Sequence, residues 1–420
     1  MIKIKHIVLL FIGLIITSSI YCNNTPVTIL ELTGKTVSSS QIDLNWFFYS
    51  NSKINFKLKI ERKTDSTSVY NEITTVEANT NINSYSDTGL KEDTVYYYRI
   101  LAYNPMTYSR IRGYNSKHCP LYSNEISVST AISWVLVTSD TNPSPRYGHA
   151  MAYDSVRNRI VLFGGFDWTD ETWEREGTKW ILKSPIHKPL PRYGHAMTYD
   201  SARGKVVLFG GLGKNSIDSY ELIHSDETWE WNGMDWTLKT PVHKPSGREV
   251  SAMAYDAGRH KTVLFGGETD SGAYSNETWE WDGTDWTLRT PIHKPLAQWG
   301  NAMAYDSKRH RILFYRGFGW SNELWSWDGI DWTLIKSPAN SPVKCSPAMA
   351  YDSVRDRLVM IGQDETWEYN GTNWSLKSPE NKPIPAHGHT IVYDSVRRRI
   401  VLFGGVVGCY STNDTWEWGY

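Results

Sequence analysis

The chain has 420 residues, 20 of them Trp and 25 Tyr, and is 40% hydrophobic. Its 44 basic and 45 acidic side chains leave a net charge of −1. That balance removes the electrostatic ground for nucleic-acid binding or for a strongly charged partner. The aromatic load favours half-buried pleated surfaces, hence an all-β chain.

Lys3, Lys5 and His6 precede an apolar run from Ile7 to Ile16, followed by Thr17-Ser18-Ser19. Residues 1–22 read as a secretory signal peptide. The run is short for a membrane span, which needs ~20 residues. Ser19-Ile20-Tyr21-Cys22 also resembles a bacterial lipobox, in which the cysteine is acylated, although Tyr21 stands where a small residue is usual. Release after cleavage and a lipid anchor on Cys22 remain alternatives. Either exports the protein to an extracellular, cell-surface or periplasmic, disulfide-permissive setting. Membrane attachment is expected only through that anchor. Cys119, Cys345 and Cys409 make an odd count, and no C-x-x-C or Cys/His cluster has zinc spacing.

Residues 23–132 carry no repeat. Leu44-Asn45-Trp46 alternates like a strand, Leu90 to Ile100 leads into Ala102-Tyr103-Asn104, and Ser123 to Val128 follows. This stretch resembles a fibronectin type III domain. The resemblance implies a β-sandwich with Trp46 in its core and Tyr96, six residues after Leu90, as a tyrosine corner. There is no Arg-Gly-Asp.

Residues 133–420 repeat. Tyr-Asp-x-x-Arg begins at Tyr153, Tyr199, Tyr255, Tyr305, Tyr351 and Tyr393, with spacings of 46, 56, 50, 46 and 42 residues. Each string is followed by Glu/Asp-Thr/Leu-Trp, with the Trp at 173, 229, 279, 325, 367 and 416. One repeat reads as four short strands: Tyr147 to Tyr153, Arg159 to Phe163, a strand through Trp173, and a strand marked by Trp180. A single sheet of this size cannot bury both faces, whereas stacking around an axis can. Gly164-Gly165, Gly210-Gly211, Gly266-Gly267 and Gly404-Gly405 end the second strands, while Arg316-Gly317 and Gly362-Gln363 depart.

On these residues the region resembles Kelch repeats, and the resemblance implies a six-bladed Kelch-type β-propeller. A fourth-strand Trp stands at 180, 236, 286, 332 and 374, and the last repeat ends before its own. Trp134–Val137 is expected to supply it and close the ring.

Variable loops on a rigid scaffold are where binding concentrates. The long second-to-third-strand loops carry Phe166, Asp167, Trp168, Tyr220, His224, Tyr274, Phe318, Trp320 and Tyr410, which suit a sugar or a peptide or else pack the loops themselves. Before each first strand runs a column Arg146, Arg192, Arg248, Gln298, Lys344, Ala386, and three positions on a second, His149, His195, Ser251, Asn301, Pro347, His389. The arginines suit an anionic ligand or pair with Glu171, Glu227 and Glu277. His149, His195 and His389 are either metal or proton-transfer groups or structural histidines. Cys345 and Cys409 are expected on one face of adjacent repeats, where they can form a disulfide.

Repetition without a unique catalytic cluster points to a monomeric, exported binding or scaffolding protein. Its ligand would be a carbohydrate or a protein on the variable face, with no cofactor. The binding residues assigned are Arg146, His149, Trp168, Arg192, His195, Arg248, Trp320 and His389. The alternative is a carbohydrate-active Kelch enzyme. A galactose-oxidase-like copper oxidase would use Tyr147, Tyr193, His149 and His195. A sialic-acid mutarotase-like enzyme would use the Arg/His/Glu mouth with Glu249.

Overall fold

The computed structural model describes residues 20–22, 25–38, 40–50, 56–64, 69–78, 83–91, 94–103, 121–130, 132–166, 168–214, 216, 221–317, 322–335, 342, 346–362, 365–379, 381–384 and 387–419. Among them every regular element is a β-strand, the sheets are small and antiparallel, and no sheet closes on itself. Two compact units divide the chain, the first ending at Ile132 and the second running Ser133–Gly419.

In the first unit, Ile20–Cys22, Thr25–Ser38, Gln41–Ser50 and Ser84–Thr88 form one sheet. Asn71–Glu77, Lys57–Lys63 and Val95–Tyr103 form the other, with Leu121–Tyr122 and Ile126–Ser129 both pairing to Val95–Tyr103. Alternate residues of facing strands, Leu44, Trp46, Ile60, Tyr98 and Ile100 among them, make a common core. Period-two patterning of this kind buries one face of each sheet. The Tyr96 hydroxyl accepts the Lys91 amide at 2.8 Å. Buried Asp87 accepts from Tyr98 Oη at 2.8 Å and from Arg62 Nη1 at 2.8 Å, so its charge is compensated. Residues 1–19 lie outside the described residues; Ile20–Cys22 pair with Thr25–Val27.

The second unit holds six four-stranded sheets. The first comprises Ala150–Asp154, Arg159–Phe163, Thr172–Glu176 and Lys179–Lys183, in that order. The second to fifth start at Ala196, Ala252, Ala302 and Ala348 and repeat the order. The sixth takes Thr390–Asp394, Arg399–Phe403 and Thr415–Gly419, and its outer strand is Ser133–Val137, with Trp134 opposite Trp418. First strands pack against each other in chain order, and that of the sixth sheet packs on that of the first. The first strands begin at the alanines or Thr390, not at the Tyr147 position expected from sequence. Arg192–Tyr193 and Arg248–Glu249 instead make separate short ladders with Leu212–Lys214 and Glu268–Thr269.

The repeated motifs are the joints between sheets. Asp154 Oδ1 accepts the Val156 and Arg157 amides at 3.1 and 3.0 Å, and its Oδ2 takes Arg157 Nε at 2.7 Å. Arg157 Nη1 reaches Glu174 Oε1 at 2.6 Å, and the indole of Trp231, from the second sheet, donates to the same oxygen at 2.9 Å. Trp236 Nε1 donates to Thr172 Oγ1 at 2.9 Å. These buried donors meet charged or hydroxyl acceptors, which makes each joint specific as well as apolar. The indole–carboxylate bond recurs as Trp281–Glu230, Trp327–Glu280 and Trp418–Glu368. The indole–hydroxyl bond recurs as Trp286–Thr228, Trp332–Thr278, Trp134–Thr366 and Trp180–Thr415.

Two joints differ. Between the sixth and first sheets, buried Arg175 replaces the indole and holds Glu417 at 2.6 Å. Between the fourth and fifth, Leu324 and Ser326 stand where the threonine and glutamate stand elsewhere. Trp374 Nε1 is consequently buried with no hydrogen-bond partner.

Candidate functional site

Two residues before each first strand the backbone turns left-handed, with φ of 65° at Gly148, 65° at Gly194, 50° at Val250, 71° at Gly300, 47° at Ser346 and 64° at Gly388. Glycine fits this conformation without strain, and Val250 adopts it at a steric cost. Consecutive turns are hydrogen-bonded: Gly148 N to Gly388 O at 2.9 Å, Gly194 N to Gly148 O at 2.8 Å, and Val250 N to Gly194 O at 2.7 Å. The chain of turns sets the preceding residues, Tyr147, Tyr193 and Glu249, side by side from three successive sheets.

The loop after Gly164-Gly165 folds over the first two. Phe166 N donates to Tyr147 O at 2.9 Å, and the Phe166 ring stacks on Tyr147 at 4.6 Å. Phe166 and Trp168 both meet Tyr193 edge-on, at 5.2 and 5.5 Å. Trp168 holds a φ of 56°, a left-handed geometry costly for a bulky side chain. Phe166 remains 39% exposed, so the aromatic cluster faces solvent rather than a core.

Beside Tyr193 lies a polar cluster. Asp270 Oδ1 binds both the His224 amide at 3.1 Å and His224 Nδ1 at 2.7 Å. His224 Nε2 stands 3.6 Å from Glu249 Oε1, too far for a hydrogen bond. Burial raises the Glu249 carboxyl above the usual range, His224 opposes that, and Glu268 adds to it. Burial and the Glu249 charge push the Tyr193 hydroxyl up to about 12. Burial and a hydrogen bond to Glu268 raise Tyr274. Perturbed groups gathered in one place make this cluster a candidate functional site.

The arginine column is corrected by its surroundings. Arg146, Arg192 and Arg248 are buried, and each guanidinium is consumed within its own sheet. Arg146 gives Nη2 to Glu171 at 2.7 Å, Nη1 to Gly164 O at 3.1 Å and Nε to Ser144 O at 3.0 Å. Arg192 and Arg248 do the same with Glu227 and Glu277, at 2.6 and 2.7 Å. Every guanidinium nitrogen of the three thus has a partner within the protein. Glu171, Glu227 and Glu277 also accept the indoles of Trp173, Trp229 and Trp279.

The histidines are packing groups as well. His149 is edge-on to Phe403 at 5.4 Å, and its Nε2 meets Thr390 Oγ1 at 2.8 Å. His195 is edge-on to Phe163 at 5.5 Å and approaches the Phe163 backbone without closing a bond of good geometry. Gly164 makes room for it: a Cβ there would lie 2.9 Å from His195 Cε1. Burial, with Arg146 or Arg192 adding repulsion, holds both imidazoles neutral; His195 falls to about 3. His389 is buried and lines a shallow cleft with Ile361, Leu402, Asp414 and Trp416. Among the described residues no three His, Cys, Asp or Glu side chains converge as metal ligands.

Of the other residues singled out in the sequence, Trp168 lies in the aromatic cluster. Trp320, Lys344, Ala386, Cys119 and Cys345 lie outside the described residues, and nothing is described of the Cys22 side chain. Cys409 is exposed; the possible bridge to Cys345 falls on a residue outside the described ones. Sequence reasoning missed the grouping of His224, Glu249 and Asp270. The available signal was Glu249 standing as an acid in a column that begins Tyr147, Tyr193.

No family model matches the chain, and no curated protein does. Among solved structures, an auxiliary nutrient binding protein from Bacteroides thetaiotaomicron is similar over 93% of this chain and 97% of its own, at 9% identity and TM-score 0.43. The fn3 domain of human contactin 1 matches 28% of this chain and 87% of its own, at 21% identity and TM-score 0.19. The expected membership of Kelch and fibronectin type III families is not upheld: no family model matches, and no sheet of the described residues closes on itself. What stands is an all-β chain of many small, mostly four-stranded sheets. The motifs that suggested Kelch repeats, Gly-Gly and a following Trp, are accounted for by local needs: close backbone approach and an indole donor to the carboxylate two residues before it.

Proposed function

We propose that this chain is an exported binding protein that takes a carbohydrate at the Tyr147–Phe166–Trp168–Tyr193 cluster. In this reading the six sheets of residues 133–420 stand around one axis as a six-bladed propeller, with strand 134–137 completing the last blade. Residues 23–132 form a separate sandwich behind a leader at 1–22. The cyclic packing of first strands supports the ring. The leader's charged start and apolar run support export.

The observation that carries the reading is a partly exposed aromatic surface beside the polar groups of His224, Glu249 and Asp270. Sugar rings present C–H faces that pack on aromatic rings, and hydroxyls that need oriented acceptors. The buried arginines Arg146, Arg192 and Arg248 take no part in this reading, since each guanidinium nitrogen already has a partner. Glycan-array screening of the purified protein tests the proposal, followed by calorimetry on the best ligand. Trp168→Ala is expected to weaken that ligand at least tenfold while leaving the unfolding midpoint nearly unchanged. Unaltered affinity, or retention of proteins but no glycan, refutes it.

A further inference from the structure

In the first, second and third sheets a buried guanidinium, from Arg146, Arg192 or Arg248, meets the same three acceptors. They are a glutamate two residues before the third-strand Trp, the carbonyl of the glycine after the second strand, and the carbonyl two residues before the arginine. In the fourth sheet Arg316, after the second strand, brings the guanidinium to Glu323. The sixth sheet has Ala386 at the first arginine position and Gly404 at the second, so neither supplies a cation. Its acceptors nevertheless stay together. Ile384, Gly404 and Asp414, the counterparts of Ser144, Gly164 and Glu171, line one cleft of about 320 Å³ open to solvent, with His389, Thr412 and Trp416. Among the described residues no hydrogen bond or ion pair reaches the Asp414 carboxylate.

We propose that this cleft binds an alkylguanidinium group, the head of an arginine side chain, brought by a molecule other than this chain. The first sheet shows how the group is held: Nη2 meets the carboxylate, Nη1 the glycine carbonyl and Nε the carbonyl two residues before the arginine. Asp414, Gly404 and Ile384 offer the same three kinds of acceptor along one cleft. A planar fork of five N–H donors matches acceptors spread in this way, whereas an ammonium group is a compact point charge. Asp414 is one methylene shorter than Glu171, which leaves room beside the carboxylate for a group entering from solvent. Trp416 adds an aromatic wall, a surface on which guanidinium planes stack. The bond to Asp414 is charge-assisted, the stronger kind of hydrogen bond. A small free guanidine and an arginine within a peptide carry the same group.

The test is calorimetric titration of the purified protein with butylguanidinium and butylammonium chlorides, and with the capped peptides Gly-Gly-Arg-Gly-Gly and Gly-Gly-Lys-Gly-Gly. Each guanidinium is expected to bind at least tenfold tighter than its ammonium counterpart. Tighter binding of butylguanidinium than of the arginine peptide supports the site with a free ligand, and the reverse order supports it with a peptide. Asp414→Asn is expected to weaken butylguanidinium at least tenfold. Ala386→Arg lets the chain bring its own guanidinium, and is expected to abolish butylguanidinium binding and raise the thermal unfolding midpoint. Absence of guanidinium binding, equal affinity for guanidinium and ammonium, or full affinity retained by Asp414→Asn or by Ala386→Arg overturns the proposal. If Ala386→Arg does not fold, Asp414→Asn decides alone.

Discussion

Arg316 donates from Nε to the side-chain oxygen of Gln298, and its Nη1 stands 3.4 Å from Glu323 Oε2. In the first three sheets the arginine sits at the Gln298 position and a glycine at the Arg316 position. The fourth sheet has exchanged the two sites and still delivers a guanidinium to the same carboxylate. What is maintained is therefore the guanidinium beside Glu323, whose Oε2 also accepts Trp325 Nε1 at 3.1 Å.

That exchange is testable as a cycle. Arg316→Gly alone removes the guanidinium from Glu323 and is expected to cost about 1–3 kcal/mol. Adding Gln298→Arg restores the arrangement of the other sheets and should recover most of the loss. Urea unfolding of the two single variants and the double variant measures the coupling.

The joint between sixth and first sheets has an arginine donor in place of the indole that meets the glutamate elsewhere. Glu417 holds both Arg175 and Arg397 at 2.6 Å, and Arg175 is fully buried. Glu417→Ala strands a buried guanidinium and is expected to cost about 3–5 kcal/mol. Arg175→Trp puts in place the indole found at the neighbouring joints and should change stability by less than about 1 kcal/mol, because an apolar replacement avoids burying a charge. Denaturant midpoints of the two variants separate charge compensation from simple packing.

The joint between fourth and fifth sheets lacks its indole acceptor. Trp236→Phe removes a ring together with a hydrogen bond to Thr172, whereas Trp374→Phe removes a ring whose N–H was already unpartnered. The first change is expected to be the costlier by about 0.5–1.5 kcal/mol, the net value of such a bond. Thr172→Val, which keeps shape, should by itself cost about 1–3 kcal/mol by stranding the Trp236 donor.

Acid should destabilise the protein through its buried histidines. His195 is held neutral down to about 3, against an ordinary value of 6.5. Its folded value is depressed, so the unfolded chain binds the extra proton first. The contribution is complete above the unfolded value and is lost as pH falls from 6.5 toward 3. Each such group contributes a slope of up to about 1.4 kcal/mol per pH unit. Chemical denaturation between neutral and mildly acidic pH should show His195→Gln with a shallower pH dependence than the parent. Equal slopes would show that His195 does not carry the effect.

The sequence by itself determined the periodic parts of this protein. Tyr-Asp-x-x-Arg and Glu-Thr-Trp recur because every sheet must close the same turn and present the same indole, so bonds such as Asp154–Arg157 are short-range and leave a mark in each repeat. The pairing of Trp134 with Trp418 was legible for the same reason: a missing fourth strand at one end matched a spare one at the other. The partners of Arg146 were legible only as an alternative, since a cation in a column says nothing of whether its donors are already spent. Burial decided that, and burial is a property of neighbours far apart in the chain. The grouping of His224, Glu249 and Asp270 depended wholly on tertiary structure: these residues come from three separate segments between the large sheets, two of them short strands, obey no period, and meet only because left-handed turns and short ladders bring these segments together.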